Sequence, residues 1–169
     1  MGLDLYKLPI TPFLHTAHTW SQVAAYFDAI DKWGVTLFVE IGVDKGGLAA
    51  FMWARQTFHP EFNYLGVELH THVVDPRLNA CVLYGDAFSD HIIDVVRSAV
   101  NKSSGPCLLL CDNGNKPREL ATYAPIIRSG DIVAVHDYGV EIHQKDLGPV
   151  LSWEFVGYLE ADLPMWKKP

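Results

Sequence analysis

Residues 35–47 read VTLFVEIGVDKGG, an apolar run that enters a glycine-rich turn at once. Val35, Leu37, Val39 and Ile41 fall on one face of an extended chain and Phe38 on the other, so both faces are largely apolar. That pattern suits a central parallel strand covered by helices on both sides. Gly42, Gly46 and Gly47 follow, and glycine there permits unusual dihedrals and close approach of backbone to ligand. The spacing is Gly-x-x-x-Gly-Gly, with Glu40 two residues ahead. A dinucleotide loop needs Gly-x-Gly-x-x-Gly and an ATP loop needs a Lys-Ser/Thr pair, and this turn matches neither. It reads as a candidate binding loop, with a purely structural strand-to-helix turn as the alternative.

Outward from this turn, strand-like and helix-like patterns alternate. Thr19 and Gln22 have the form of a capping box, and Val23, Ala24, Phe27 and Ile30 recur at helical spacing up to Gly34. A helix is expected over about 46–57, strands over 63–69, 80–84, 107–111 and 131–137, and helices over 89–101 and 117–127, the last bent near Pro125. The link 70–79 is short and contains Pro76, which predicts a missing crossover helix between the second and third strands. Residues 151–158 predict a sixth strand and residues 165–168 a clipped edge strand. The alternation implies an α/β fold, a Rossmann-like doubly wound and mostly parallel sheet with helices on both faces. At 169 residues one domain is expected, made of an N-terminal arm (1–18), a binding core (19–139) and a C-terminal part (140–169).

Composition narrows the function. Hydrophobic residues make up 49% and charged residues 20%, which is globular, and the apolar runs are too short to span a bilayer. No membrane partner is expected, and without a secretory signal pattern at the N-terminus the expected location is cytoplasmic. Cys81, Cys107 and Cys111 are odd in number and read as free buried thiols. A net charge of −7 without a basic block argues against a grip on nucleic acid phosphates and for a small-molecule substrate.

The polar residues gather at strand ends: Glu40 and Gly42 on the first, Glu68 on the second, Asp86 after the third, Asp112 on the fourth, His136 and Asp137 on the fifth. In an open parallel sheet the carboxyl edge is where ligands bind. Glu68, about twenty residues past the glycine turn, suits ribose hydroxyls because a carboxylate accepts from both. Asp86 also reads as a cap of the helix after it, Asp112 as a cap of its own following helix, and His136 as a strand-end histidine with satisfied hydrogen bonds. His70 and His72 read as exposed loop residues, and His15, His18, His59, His91 and His143 as solvent-exposed. Trp153 and Glu154 read either as part of an acceptor pocket or as core tryptophan beside surface glutamate.

The ordered set formed by Glu40, Gly42, Gly46 and Gly47, then VEL at 67–69, GDAF at 85–88, CDNGNK at 111–116 and GDIVAVHDYG at 130–139 resembles class I S-adenosylmethionine-dependent methyltransferases. Within them it is most similar to the small cephalosporin-hydroxylase-like and catechol-type O-methyltransferases. The resemblance covers about residues 20–140. It implies S-adenosylmethionine as cofactor and methyl transfer to a hydroxyl of a small molecule, a sugar or natural-product intermediate. It further implies Glu40, Gly42, Gly46 and Gly47 around the methionine part, Glu68 on the ribose, and Asp86 and Ala87 beside the adenine, with Asp112 also at the cofactor. In metal-dependent relatives the positions of Asp112, His136 and Asp137 hold a divalent ion, Mg or Mn, and histidine in that set shifts the preference from Mg towards Mn or Zn or removes the metal altogether. His136, Asp137 and Lys116 are the implied catalytic residues, His136 or Lys116 as base. The short substrate loops suggest a pocket that is either open or completed by a second subunit in a homodimer. Rival readings are a nicotinamide-dependent oxidoreductase, a non-catalytic cofactor-binding protein and, more remotely, a metal-dependent hydroxylase.

Overall fold

The computed structural model describes residues 18–71, 76–159 and 163–169. Most of the expected N-terminal arm, with His15, and also His72 lie outside these residues.

The chain enters through α1 (Trp20–Trp33), whose start is set by a complete capping box. The Thr19 hydroxyl accepts from the backbone N–H of Gln22, and the Gln22 side chain accepts from the backbone N–H of Thr19. Gly34, at φ 61°, closes the helix in the left-handed conformation that glycine adopts freely. There follow β1 (Leu37–Ile41), α2 (Gly47–Phe58), β2 (Asn63–Glu68), β3 (Val82–Tyr84), α3 (Asp90–Lys102), β4 (Cys107–Cys111), α4 (Lys116–Tyr123), β5 (Ile132–Val135), β6 (Glu154–Tyr158) and β7 (Pro164–Lys167). Ser89 caps α3 and Asn115 caps α4, so neither Asp86 nor Asp112 serves as the helix cap. The helix after β4 passes into a 3₁₀ turn at Ala124–Ile126, where Pro125 withholds a backbone N–H.

The sheet runs β3-β2-β1-β4-β5-β7-β6, with β7 antiparallel to both neighbours and every other pairing parallel. β1, β4 and β5 are buried along their whole length because helices cover both faces. Phe38, Leu108, Leu110 and Ala134 pack with Tyr26, Ile30, Leu48 and Met52 of α1 and α2. Leu37, Val39, Ile41, Leu109 and Val135 pack on the other face with Ile92, Val96, Leu120 and Tyr123 of α3 and α4. Each such large apolar side chain stabilises the fold by about 1.5–3 kcal/mol. Between β2 and β3 the structure has a 3₁₀ turn at Pro76–Ala80 and no α-helix among the described residues, as the short link predicted.

The C-terminal strands require a correction. The segment expected as a clipped edge strand, now β7, lies between β5 and β6, and the edge is β6. Periodicity in so short a segment gives no neighbour. Its place follows from the buried Pro164, Met165 and Trp166, which complete both cores beside β5. A bulge between Phe155 and Gly157 adds one residue to β6, so that Phe155 and Tyr158 meet on one face with ring centroids 5.1 Å apart. All three cysteines are free and buried, and no helix among the described residues is long and apolar enough to cross a membrane.

β1 and β4 are neighbours reached by chain leaving in opposite directions, so a crevice opens at their carboxyl ends. Gly42 stands at its rim with φ 97°, and a Cβ there would lie 2.7 Å from backbone atoms of Asp112 and Asn113. Gly42→Ala is therefore expected to cost about 3 kcal/mol or more, a fall of about 6–12 °C in Tm for a domain of this size, read by thermal denaturation.

Candidate active site

At the carboxyl ends of β1, β4 and β5 lies a cavity of about 420 Å³, lined on one side by Glu40 and the turn after β1 and on the other by Asp112, Lys116, His136 and Asp137. The turn is held from the neighbouring strand. One Glu68 carboxylate oxygen accepts from the backbone N–H groups of Val43 and Asp44, and the other from His70 N–H. A carboxylate offers about four acceptor positions, so the three bonds leave room for one ribose hydroxyl rather than the expected two. Among the described residues Asp44 (φ 48°) and Asp137 (φ 56°) are the positive-φ residues other than glycine, and both line the cavity. Strained backbone of this kind persists where surrounding structure over-determines it, commonly at functional sites.

Glu40 is 1% exposed, and its carboxylate accepts from the Tyr64 hydroxyl. Burial drives its pKa well above the usual carboxylate range, and the Tyr64 bond offsets only part of that.

Asp112 has one carboxylate oxygen 2.9 Å from His136 Nδ1 and the other 3.0 Å from His18 Nε2. Burial alone would raise its pKa, but the hydrogen bonds from His136 and His18 outweigh burial and hold it below the ordinary value. The expectation that His18 is solvent-exposed is corrected: it is 7% exposed, against Asp112 and Tyr26. Its local sequence carries no periodicity, so only the fold reveals its place. His136 is fixed from both sides, because its Nε2 lies 3.3 Å from the Gln22 amide nitrogen. Gln22 Oε1 is already engaged by Thr19 N–H, so the amide turns its NH₂ to the ring. The network thus assigns Nε2 as acceptor and Nδ1–H as donor to Asp112.

Lys116, 3% exposed, places its ammonium 2.8 Å from Glu141 Oε2, 3.2 Å from Asp137 Oδ2 and 3.8 Å from Asp112 Oδ1, and donates to the Asn113 carbonyl. Burial would lower its pKa, but the Glu141 hydrogen bond and the charges of Asp112 and Asp137 raise it above the usual lysine value. Lys116 is thus a cation here, not a free base. Glu141 sits beyond the stretch that carried the sequence pattern and had no signal of its own. The loop between Asp112 and Lys116 is pinned by Glu119, whose carboxylate accepts from Asn113 and Asn115 N–H. Burial pushes its pKa up to about 8 against those two bonds.

Of the residues singled out in the sequence, Glu40, Gly42, Gly47, Asp112, Lys116, His136 and Asp137 meet around this cavity, joined by His18, Asp44, Lys45 and Glu141. Gly46 caps α2 at φ 81°. Glu68, Asp86 and Ala87 stand outside the cavity wall. Asp86 is exposed and accepts from Phe88 N–H, and Ala87 is core, its carbonyl bonded by the Tyr123 hydroxyl. His70, His91 and His143 are exposed as expected. Trp153 lines a separate aromatic groove of about 300 Å³ with Tyr138, Phe155, Tyr158 and Trp166, and Glu154 is exposed.

Ligand atoms of Asp112, His136 and Asp137 lie within 4.8 Å of one another, the grouping expected of a divalent ion site. The donor set does not fit one. His136 presents Nδ1 to Asp112 as a protonated donor, and each Asp112 oxygen already accepts from an imidazole. A divalent ion would also meet the Lys116 ammonium, at a cost of about 8 kcal/mol for a separation of about 4 Å and an effective dielectric of about 20.

A folded-state pKa held below the unfolded value gives stability that is present above the unfolded pKa of about 3.9 and is lost as pH falls through the folded value. Asp112→Asn is expected to lower unfolding free energy by about 1–3 kcal/mol at neutral pH. In denaturant titrations the two proteins should converge as the medium becomes strongly acidic.

No protein-family model matches the chain, and no curated protein matches it. Among solved structures, CmcI in its apo form is 16% identical over 70% of this chain and 52% of its own, at a TM-score of 0.56. The Mg–SAM form of CmcI is 16% identical over 70% and 53%, at 0.55. An S-adenosyl-L-methionine methyl transferase from Silicibacter pomeroyi is 13% identical over 88% of this chain and 92% of its own, at 0.55. The chain spans about half the length of these two CmcI structures.

Proposed function

We propose, on the premise that the chain has the Rossmann-like fold of class I S-adenosylmethionine-dependent methyltransferases, that it transfers a methyl group from S-adenosylmethionine to a hydroxyl of a small molecule. The observation that carries the reading is the cavity in which the turn after β1 faces a buried ammonium ringed by carboxylates. Glu40, Gly42 and Gly47 of the cavity wall, with Gly46 in the same turn, frame the methionine part of the cofactor, and beyond the wall Glu68 takes one ribose hydroxyl and Asp86 with Ala87 borders the adenine.

The reaction is an in-line displacement. The acceptor oxygen forms its bond to the methyl carbon as the carbon–sulfur bond breaks, and the sulfonium becomes a neutral thioether. Its main demand is close alignment, which a walled cavity supplies. The hydroxyl proton goes to the Asp137 carboxylate, whose side chain is about one-third exposed, at 32%, beside Lys116. The Lys116 ammonium stabilises negative charge on the acceptor oxygen. His136 acts as a positioning residue rather than as the base, because Gln22 and Asp112 engage both of its ring nitrogens. No step passes through a metal ion.

Calorimetric titration with S-adenosylhomocysteine tests the reading. Micromolar binding is expected, weakened about tenfold, or about 1.4 kcal/mol, by Asp86→Ala without loss of Tm. Asp137→Asn and Lys116→Met should lower single-turnover methyl transfer by about 10²–10⁴-fold while leaving that affinity nearly unchanged. Absence of binding in the folded wild-type protein would overturn the proposal.

A further inference from the structure

We infer that the site works without a divalent ion, the Lys116 ammonium holding the position and charge that a metal would otherwise supply, and that the acceptor is accordingly an acidic, phenol-like hydroxyl. The position of the ammonium stands independently of the proposed function; the acceptor class rests on it.

Three carboxylates from separate parts of the chain converge on one buried ammonium: Asp112 after β4, Asp137 after β5 and Glu141 in the turn beyond. Glu141 makes the shortest of the three contacts and commits the lysine to the cluster. The histidines are committed elsewhere. His18 Nε2 and His136 Nδ1 approach opposite oxygens of Asp112 and fall in different groups of potential ligand atoms, so they do not converge on a common centre. The orientation of His136 traces to the start of α1. The capping box fixes the Gln22 amide, the amide fixes the ring, and the ring presents a protonated Nδ1 to the cluster. A protonated ring nitrogen has no lone pair for a metal.

The substrate class follows from charge. One ammonium lowers the pKa of a bound hydroxyl less than a divalent ion does, and a carboxylate is a weak base toward an aliphatic alcohol. A phenol, with a pKa of about 10, lies within reach of Asp137 and Lys116.

The test is titration of the purified full chain with MnCl₂, free Mn²⁺ being read by its electron paramagnetic resonance signal. Wild-type protein is expected to leave the signal intact through the submillimolar range. Lys116→Met vacates the centre while keeping side-chain volume and leaves the three carboxylates of Asp112, Asp137 and Glu141 around it, with lone pairs beyond those the imidazoles use, so it should deplete the signal stoichiometrically, and adding Asp112→Asn should restore it. Lys116→Gln serves the same purpose should the methionine variant fail to fold. Stoichiometric Mn²⁺ uptake by wild type, abolished by Asp112→Asn, would overturn the inference, as would folded Lys116 variants that take up none. In parallel, S-adenosylhomocysteine affinity should be equal in EDTA and in MgCl₂. Loss of that binding in both media would count against the methyltransferase reading alone and leave the Mn²⁺ result standing. With labelled cofactor in EDTA, transfer to a phenol and not to a sugar hydroxyl is expected, and the reverse preference would overturn the acceptor class.

Discussion

The carboxylate of Asp112, bridging two imidazoles at the end of β4, is the constraint on which the site depends. His18 comes from the approach to α1, His136 from the end of β5, and Lys116 from the first turn of α4. One side chain therefore ties three elements together at this edge of the sheet. Its charge is needed by all three, and its burial makes the bonds strong because little water competes for them. The same strand end holds Gly42 close, since backbone of Asp112 and Asn113 occupies the space where a side chain would stand. Geometry of the glycine turn and electrostatics of the opposite wall are thus set together.

A second consequence concerns how helix capping reaches the chemistry. The capping box at Thr19 and Gln22 satisfies N–H groups at the start of α1 that would otherwise lack partners. The same glutamine spends its amide nitrogen on His136. Local helix stability and the tautomer of a cavity residue share one side chain.

Much of this was legible in the sequence for identifiable reasons. Buried parallel strands are apolar on both faces, so β1, β4 and β5 declared themselves. Polar residues at their carboxyl ends could be grouped before any geometry was known, because period and topology fix where strand ends lie. The capping box of α1 was visible as Thr19 and Gln22, but its contact with His136, 114 residues further along the chain, leaves no local trace. His18 and Glu141 escaped for the same reason: each is polar, lies outside the periodic segments, and gains its meaning from partners far away in sequence. The position of β7 was misread because a four-residue strand carries too little pattern to reveal its neighbours. The competition between Lys116 and a metal ion depends on distances of a few ångströms, which spacing along the chain does not encode.

The central claim is a methyltransferase site organised around a lysine rather than a metal ion. A crystal structure of the chain grown with S-adenosylhomocysteine and MnCl₂, with anomalous data collected at the manganese edge, tests it most directly. The account predicts the cofactor along the turn at residues 42–47, its sulfur in the cavity facing Lys116, with the ammonium still among Asp112, Asp137 and Glu141 and no anomalous peak there. A manganese peak between Asp112 and Asp137 with Lys116 displaced, or a cofactor bound away from the glycine turn, would contradict it.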